Sequence, residues 1–126
     1  MAKKILFVDD EEDILDIFKS RISSWGYDVA VAINGKIAMK ILKEEEINAI
    51  VLDYLMPDTD GIVLLKKIRG IYGKMPVIMF TAYPKEVTME DAEKLNIAAF
   101  IPKISPYTST IDSLKTALEI IFKREK

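Results

Sequence analysis

Four short apolar runs in this chain each end on a residue able to do charge chemistry. Ile5–Val8 ends in Asp9-Asp10, Ala49–Leu52 in Asp53, Val77–Phe80 in Thr81, and Ala98–Ile101 in Pro102 and Lys103. Carboxylates gathered in one pocket repel each other and raise one another's pKa unless a cation joins them. Oxygen-only ligands, incomplete and partly hydrated, favour Mg2+ or Mn2+ over zinc. One divalent ion and Lys103 together balance the charge of Asp9, Asp10 and Asp53. A phosphoryl group bound there meets both the metal and the lysine, two devices that phosphoryl transfer commonly uses. An aspartate can itself be the nucleophile. Asp53, the central single carboxylate, is the expected attacker, with Thr81 donating a hydrogen bond to a phosphoryl oxygen. Taken singly, each residue has a plainer reading: Asp as a turn or helix cap, Thr as a β-former, Lys as a solvated charge. Glu11, Glu12 and Asp13 read as favourable charge at a helix N-terminus.

Composition narrows the chemistry further. The chain has 126 residues and neither cysteine nor histidine. Disulfides, thiolate nucleophiles, a histidine base and a phosphohistidine on this chain are excluded. Eighteen basic and 20 acidic residues give a net charge of −2, which argues against a nucleic-acid binder. The apolar runs fall far short of the roughly 20 residues of a membrane span. The N-terminal run meets an acidic cluster too soon for a signal peptide, so the expected location is cytoplasmic.

The elements that must position these residues alternate strictly. Ile5–Val8, Val29–Ile33, Ala49–Leu52, Val77–Phe80 and Ala98–Ile101 read as strands buried on both faces. Leu15, Phe18, Ile22 and Trp25 mark a first helix, stopped by Gly26. Asn34 caps a second from Gly35 to about Glu46, with Ile37, Ile41 and Leu42 inward. A loop from Pro57 to Gly61 leads to a third, marked by Leu64, Leu65, Ile68 and Ile71 and closed by Gly70 and Gly73. Glu86–Leu95 reads as a short polar helix. Ser109 with Asp112 resembles a capping box before a last helix carrying Ile111, Leu114, Leu118, Ile121 and Phe122. Five βα units predict an α/β fold, a doubly wound three-layer sandwich with a five-stranded parallel sheet in the order 2-1-3-4-5. In such sheets the working site lies at the carboxyl ends of the strands.

These residues resemble the receiver domain of two-component response regulators, over nearly the whole chain. The family pattern is matched by Phe7-Val8-Asp9-Asp10, by Leu52-Asp53-Tyr54-Leu55-Met56-Pro57 followed by Asp60-Gly61, by Thr81-Ala82, and by Phe100 three residues before Lys103. The resemblance implies that Asp53 accepts a phosphoryl group from a phosphohistidine of a partner, a sensor histidine kinase or a phosphotransfer protein. Asp10, Asp53 and the main-chain carbonyl of Leu55 would bind Mg2+, with Asp9 assisting through water. Thr81, Ala82 and Lys103 would contact the phosphoryl group. Thr81 and Phe100 would move together and reshape the face of the fourth helix, fifth strand and fifth helix, where a downstream protein binds. Leu55 and Tyr83 border the phosphoryl group in the family, and their bulk here implies slow loss of it. The length fits a single receiver domain over residues 1–126, with no output domain, acting as a monomer or weak dimer and catalysing only its own phosphorylation and dephosphorylation.

In one respect the chain departs from the family. Proline usually follows the lysine directly, often after a cis bond; here Pro102 precedes Lys103 and Ile104 follows. A cis bond before a non-proline residue costs about 2.5–4 kcal/mol, so the expectation is either a rerouted trans loop or a strained one, and a short fifth strand. Three rival readings follow from the same residues. A receiver-like module that is not phosphorylated would use the same face to bind partners. A phosphatase of the haloacid dehalogenase type needs Asp-x-Asp after the first strand, where Glu11 stands instead. A dinucleotide-binding domain needs a glycine-rich loop, where this chain has five acidic residues.

Overall fold

The computed structural model describes residues 2–56, 59–81, 94–103 and 107–124. Strands β1 (Lys4–Val8), β3 (Ala49–Asp53) and β6 (Val77–Thr81) form the centre of the sheet. From Ile5 to Val8, across Ala49–Leu52 and across Val77–Phe80, every residue is fully buried. Solid apolar runs of this kind suit a parallel sheet covered on both sides. β2 (Asp28–Ala32) and β7 (Ala99–Pro102) are the edges, and all pairings in the order β2-β1-β3-β6-β7 are parallel. Counting only these five strands, the order is the expected 2-1-3-4-5. A small antiparallel ribbon joins β4 (Leu55–Met56) to β5 (Thr59–Asp60).

Alternation along the strands divides the core in two. Leu6, Val8, Ile50, Leu52, Val77 and Met79 face helices α2 (Gly35–Glu44) and α3 (Gly61–Ile71). Ile5, Phe7, Ala49, Val51, Ile78 and Phe80 face α1 (Glu12–Ser24) and α4 (Thr108–Arg124). On this second side Phe7, Phe18 and Phe80 form a mutual trio with ring centroids 5.1–5.6 Å apart. The expected apolar face of the last helix is confirmed: Leu114 and Leu118 are buried and Ile111, Ile121 and Phe122 pack beside them. Among the described residues no helix is long and apolar enough to cross a membrane.

Helix ends follow local chemistry. Gly26 adopts φ +97°, and its N–H bonds the Ser23 carbonyl, ending α1 as expected. Asn34 Oδ1 accepts the Ile37 N–H at 2.9 Å and caps α2. Asp60 Oδ1 does the same for α3, accepting from Ile62 and Val63. Gly61 is required by a close approach: a Cβ there would lie 2.5 Å from the Tyr54 carbonyl oxygen and 2.8 Å from its Cα. The Gly61 N–H instead bonds that carbonyl at 3.1 Å.

Several expectations are corrected. β2 runs one residue earlier than Val29–Ile33, leaving Ile33 exposed past its end. The inward stripe of α2 is Ala38 and Leu42; Ile37 lies off it and is exposed, and the helix stops at Glu44. Gly70 does not close α3 but lies inside it, because the Tyr72 N–H still reaches the Ile68 carbonyl. Ile71, one of the residues that mark this helix, lies in its last turn and is 60% exposed. Ser109 and Asp112 form no capping box, since α4 is already helical at Thr108 and the Ile111 N–H bonds the Tyr107 carbonyl. β7 is short, as expected, and includes Pro102, which an edge strand tolerates because its missing N–H is not needed for a second neighbour. The expected helix over 86–95 lies almost wholly outside the described residues.

Candidate functional site

The sheet delivers the chemically active residues to one end. Asp9 follows β1, with its N–H bonded to the Ala32 carbonyl at 3.0 Å. Asp53 and Thr81 are the last residues of β3 and β6, and Lys103 follows β7. The alternation that divides the core also aims these side chains. Asp9 continues the row of Phe7, Asp53 that of Val51, and Lys103 that of Ile101, all on the α1/α4 side. Thr81 continues the row of Met79 on the other side, and Phe100, paired with Met79, shares that face.

The first three converge. Lys103 Nζ lies 2.8 Å from Asp9 Oδ2 and 3.4 Å from Asp53 Oδ2, and all three side chains are at least 96% buried. The ammonium also stands 5.7 Å from the centroid of the Phe80 ring. Thr81 is fully buried, and its carbonyl accepts the Lys103 N–H at 2.6 Å. Lys103 therefore reaches the site although no proline follows it; the peptide to Ile104 lies outside the described residues. Phe100 is half-buried and packs on the α2/α3 side. Leu55 is described by its backbone alone, in β4 opposite Asp60. Ala82 and Tyr83 lie outside the described residues.

The structure adds a fourth carboxylate. Glu11 Oε1 lies 3.2 Å from Lys103 Nζ, and the Glu11 N–H donates to Asp9 Oδ1 at 2.9 Å. Glu11 also occupies the N-cap position of α1 without capping it, while Glu12 and Asp13 fill the first turn as expected. The partnership between Glu11 and Lys103 crosses 92 residues of chain. Its only trace in the sequence is that Glu11 follows a strand end by two positions. The pocket is thus one negative charge richer than Asp9, Asp10 and Asp53 alone imply.

Electrostatics reflect this crowding. Burial works against the Lys103 ammonium, but Asp9, Asp53 and Glu11 overcome it and hold its pKa above the usual lysine value of 10.5. Burial lifts the Asp9 carboxyl above its usual 3.8, opposed by Lys103 and by the Glu11 N–H. One lysine is too little positive charge for four carboxylates.

The donor set fits a hard divalent cation. One oxygen from each of Asp9, Asp10 and Asp53 lies within 4.8 Å of the others. Ligands on opposite sides of Mg2+ stand about 4.2 Å apart, from bonds of about 2.1 Å. Asp9 Oδ2 is buried and accepts no well-directed hydrogen bond among the described residues, although the lysine is near. Asp10 is the most accessible of the three.

Comparison with known proteins gives a consistent answer. The family model described as response regulator receiver domain matches residues 5–119. The receiver domain of the Francisella response regulator 1452 is 31% identical, with 98% of this chain and 99% of that one aligned and a TM-score of 0.83. A CheY-like receiver domain protein from Methanospirillum hungatei is 28% identical over 98% of this chain and 99% of its own, at a TM-score of 0.81. The response regulator TrrA from Thermotoga maritima, solved in complex with Mg(2+)-BeF, is 25% identical over 91% of this chain and 98% of its own, at 0.78.

Proposed function

The chain belongs to the response regulator receiver domain family, and on that premise we propose that Asp53 accepts a phosphoryl group from a phosphohistidine on a partner kinase or phosphotransfer protein. The observation that carries this reading is the meeting of Asp53 with Lys103 at 3.4 Å inside an acidic cluster of cation-binding size. An Asp53 carboxylate oxygen attacks phosphorus; the new P–O bond forms as the P–N bond breaks, and the imidazole leaves with the electron pair. Asp10, Asp53 and the Leu55 carbonyl would hold Mg2+ or Mn2+, with Asp9 acting through water. The ion, when bound, neutralises charge on the phosphoryl oxygens. The TrrA complex with Mg(2+)-BeF supports magnesium as the ion.

Lys103 turns from Asp9 and Glu11 toward the new phosphoryl oxygens, and Thr81 and the backbone of Ala82 bind them. Thr81 and Phe100 share one side of the sheet, so inward movement of one opens space the other can fill. The half-buried state of Phe100 suits a residue with two packings. The output is a reshaped surface around β7 and α4, read by a downstream protein. Leu55 and Tyr83 shield the phosphoryl group from water and lengthen its life.

Incubation with acetyl phosphate and Mg2+, read by intact-protein mass, tests the reading. The parent protein should gain one phosphoryl group, and neither Asp53→Asn nor a chelator-treated sample should. A gain that persists in Asp53→Asn would place the acceptor elsewhere. No gain in the parent would favour the module that binds partners without phosphorylation.

A further inference from the structure

On the α2/α3 side of the sheet, these helices line a groove of about 610 Å³. Its floor is apolar: Met39, Val63 and Leu64, with Val63 49% exposed although it is a large aliphatic residue. Its rim is basic. Lys36, Lys40 and Lys43 line one bank at spacings of four and three, which places them along one stripe of α2. Lys67, one turn beyond Val63, lines the other bank. Among the described residues Asp60 is the one acidic member of the lining, and its Oδ1 is engaged in capping α3.

This arrangement works against the helix that carries it. Like charges four residues apart repel on a helix. Lys36 sits in the first turn, where the helix dipole disfavours a cation, and that turn has no acidic residue. Among the described residues none of the four lysines makes an ion pair. The chain as a whole is acidic, with a net charge of −2, so the basic groove is a local reversal of sign. Local rules broken without compensation inside a fold are commonly met at binding surfaces.

We propose that the α2/α3 groove is a docking surface for an acidic amphipathic helix of a partner protein. Apolar side chains at helical spacing would cover Met39, Val63 and Leu64, and carboxylates on both flanks would meet the two lysine banks. The concave shape fits a helix better than a flat lipid surface. Among the described residues no aromatic side chain lines the groove, which argues against stacked nucleic-acid bases. None of Asp9, Asp10, Asp53 and Lys103 lines this groove, so the proposal stands whether or not Asp53 is phosphorylated.

The test is an NMR titration of isotope-labelled protein with a synthetic helical peptide bearing leucine on one face and glutamate on the other. Saturable shifts should be confined to Gly35–Glu44 and Gly61–Ile71. Affinity should fall about tenfold in Lys40→Glu with Lys67→Glu, and fall with added salt. Val63→Asp, which leaves the lysines in place, should also weaken binding; both variants are on exposed positions and their spectra report folding directly. Equal binding of a scrambled peptide of the same composition would overturn the proposal. So would an absence of shifts in the two helices, or stronger shifts from anionic vesicles or RNA.

Discussion

The Lys103 backbone N–H donates to the Thr81 carbonyl at 2.6 Å, so the lysine of the site is tied to the end of the neighbouring strand. A second tie comes from Thr110, whose Oγ1 donates to the Pro102 carbonyl at 3.0 Å and fixes the start of α4 against the end of β7.

Lys103→Met should therefore leave the backbone in place and remove only charge. Asp9 and Asp53 would then face each other without their ammonium, and breaking a buried ion pair this way costs about 3–5 kcal/mol. The Lys103 pKa is raised, so its stabilising contribution is complete below 10.5 and is lost as pH rises through the higher folded value. Urea unfolding at neutral pH should show the loss, and Mg2+ should restore part of it. An unchanged midpoint would mean that the carboxylates are hydrated rather than paired.

Asp9→Asn should act in the opposite direction. The parent carboxyl is held above 3.8, mainly by burial, so the folded state binds its proton more tightly than the unfolded chain does. Stability from this group falls as pH rises from 3.8 through the raised value. Asparagine keeps an acceptor for the Glu11 N–H without the charge. The variant should exceed the parent in stability at neutral pH, with the advantage fading below pH 3.8. Denaturation midpoints at both pH values check this; an equal gap at both would exclude charge as the cause.

Gly61→Ala should destabilise the fold by about 1–3 kcal/mol, the usual range for overpacking. The new methyl would collide with the Tyr54 backbone, which cannot rotate away as a side chain can. Tyr54 adjoins Asp53, so phosphorylation by acetyl phosphate should slow as well. A variant with lowered thermal stability and an unchanged phosphorylation rate would separate the two effects and reject the second.

Arg69 holds the opposite end of the sheet. Its guanidinium donates to the carbonyls of Leu95 at 2.8 Å, Met75 at 2.5 Å and Asn96 at 3.0 Å. Burial pulls its pKa below the usual arginine value, yet it stays charged at neutral pH. Arg69→Met should cost about 2 kcal/mol through three unpaired carbonyls. Arg69→Lys should recover little, because an ammonium lacks the planar fork that spans all three. Guanidinium chloride unfolding of both variants distinguishes geometry from charge.

The central strands were legible because a parallel strand buried on both faces is a solid apolar run, and β1, β3 and β6 have no other reading. Asp9, Asp53 and Lys103 were legible because strand ends fix where a site can form. Glu11 was not, since its tie to Lys103 depends on side-chain reach between residues distant in sequence. Ile37 was misread as inward because size outweighed angle; α2 buries the small Ala38 instead. The β4–β5 ribbon has two residues per strand, too few to leave any period, and Gly70 looked like a stop where α3 had one hydrogen-bonded residue left to add.

The phenylalanine trio has a directional effect on the acidic pocket. Phe80, packed on Phe7 and Phe18, lies beneath the Lys103 ammonium and is itself sealed from solvent. Below the charges there is only hydrocarbon, which screens poorly, while above them lies water beside Asp10. The pocket therefore projects its negative potential outward, on the side where Asp10 meets solvent. A divalent cation approaching from that side would meet Asp10 first, with Asp9 and Asp53 buried behind it.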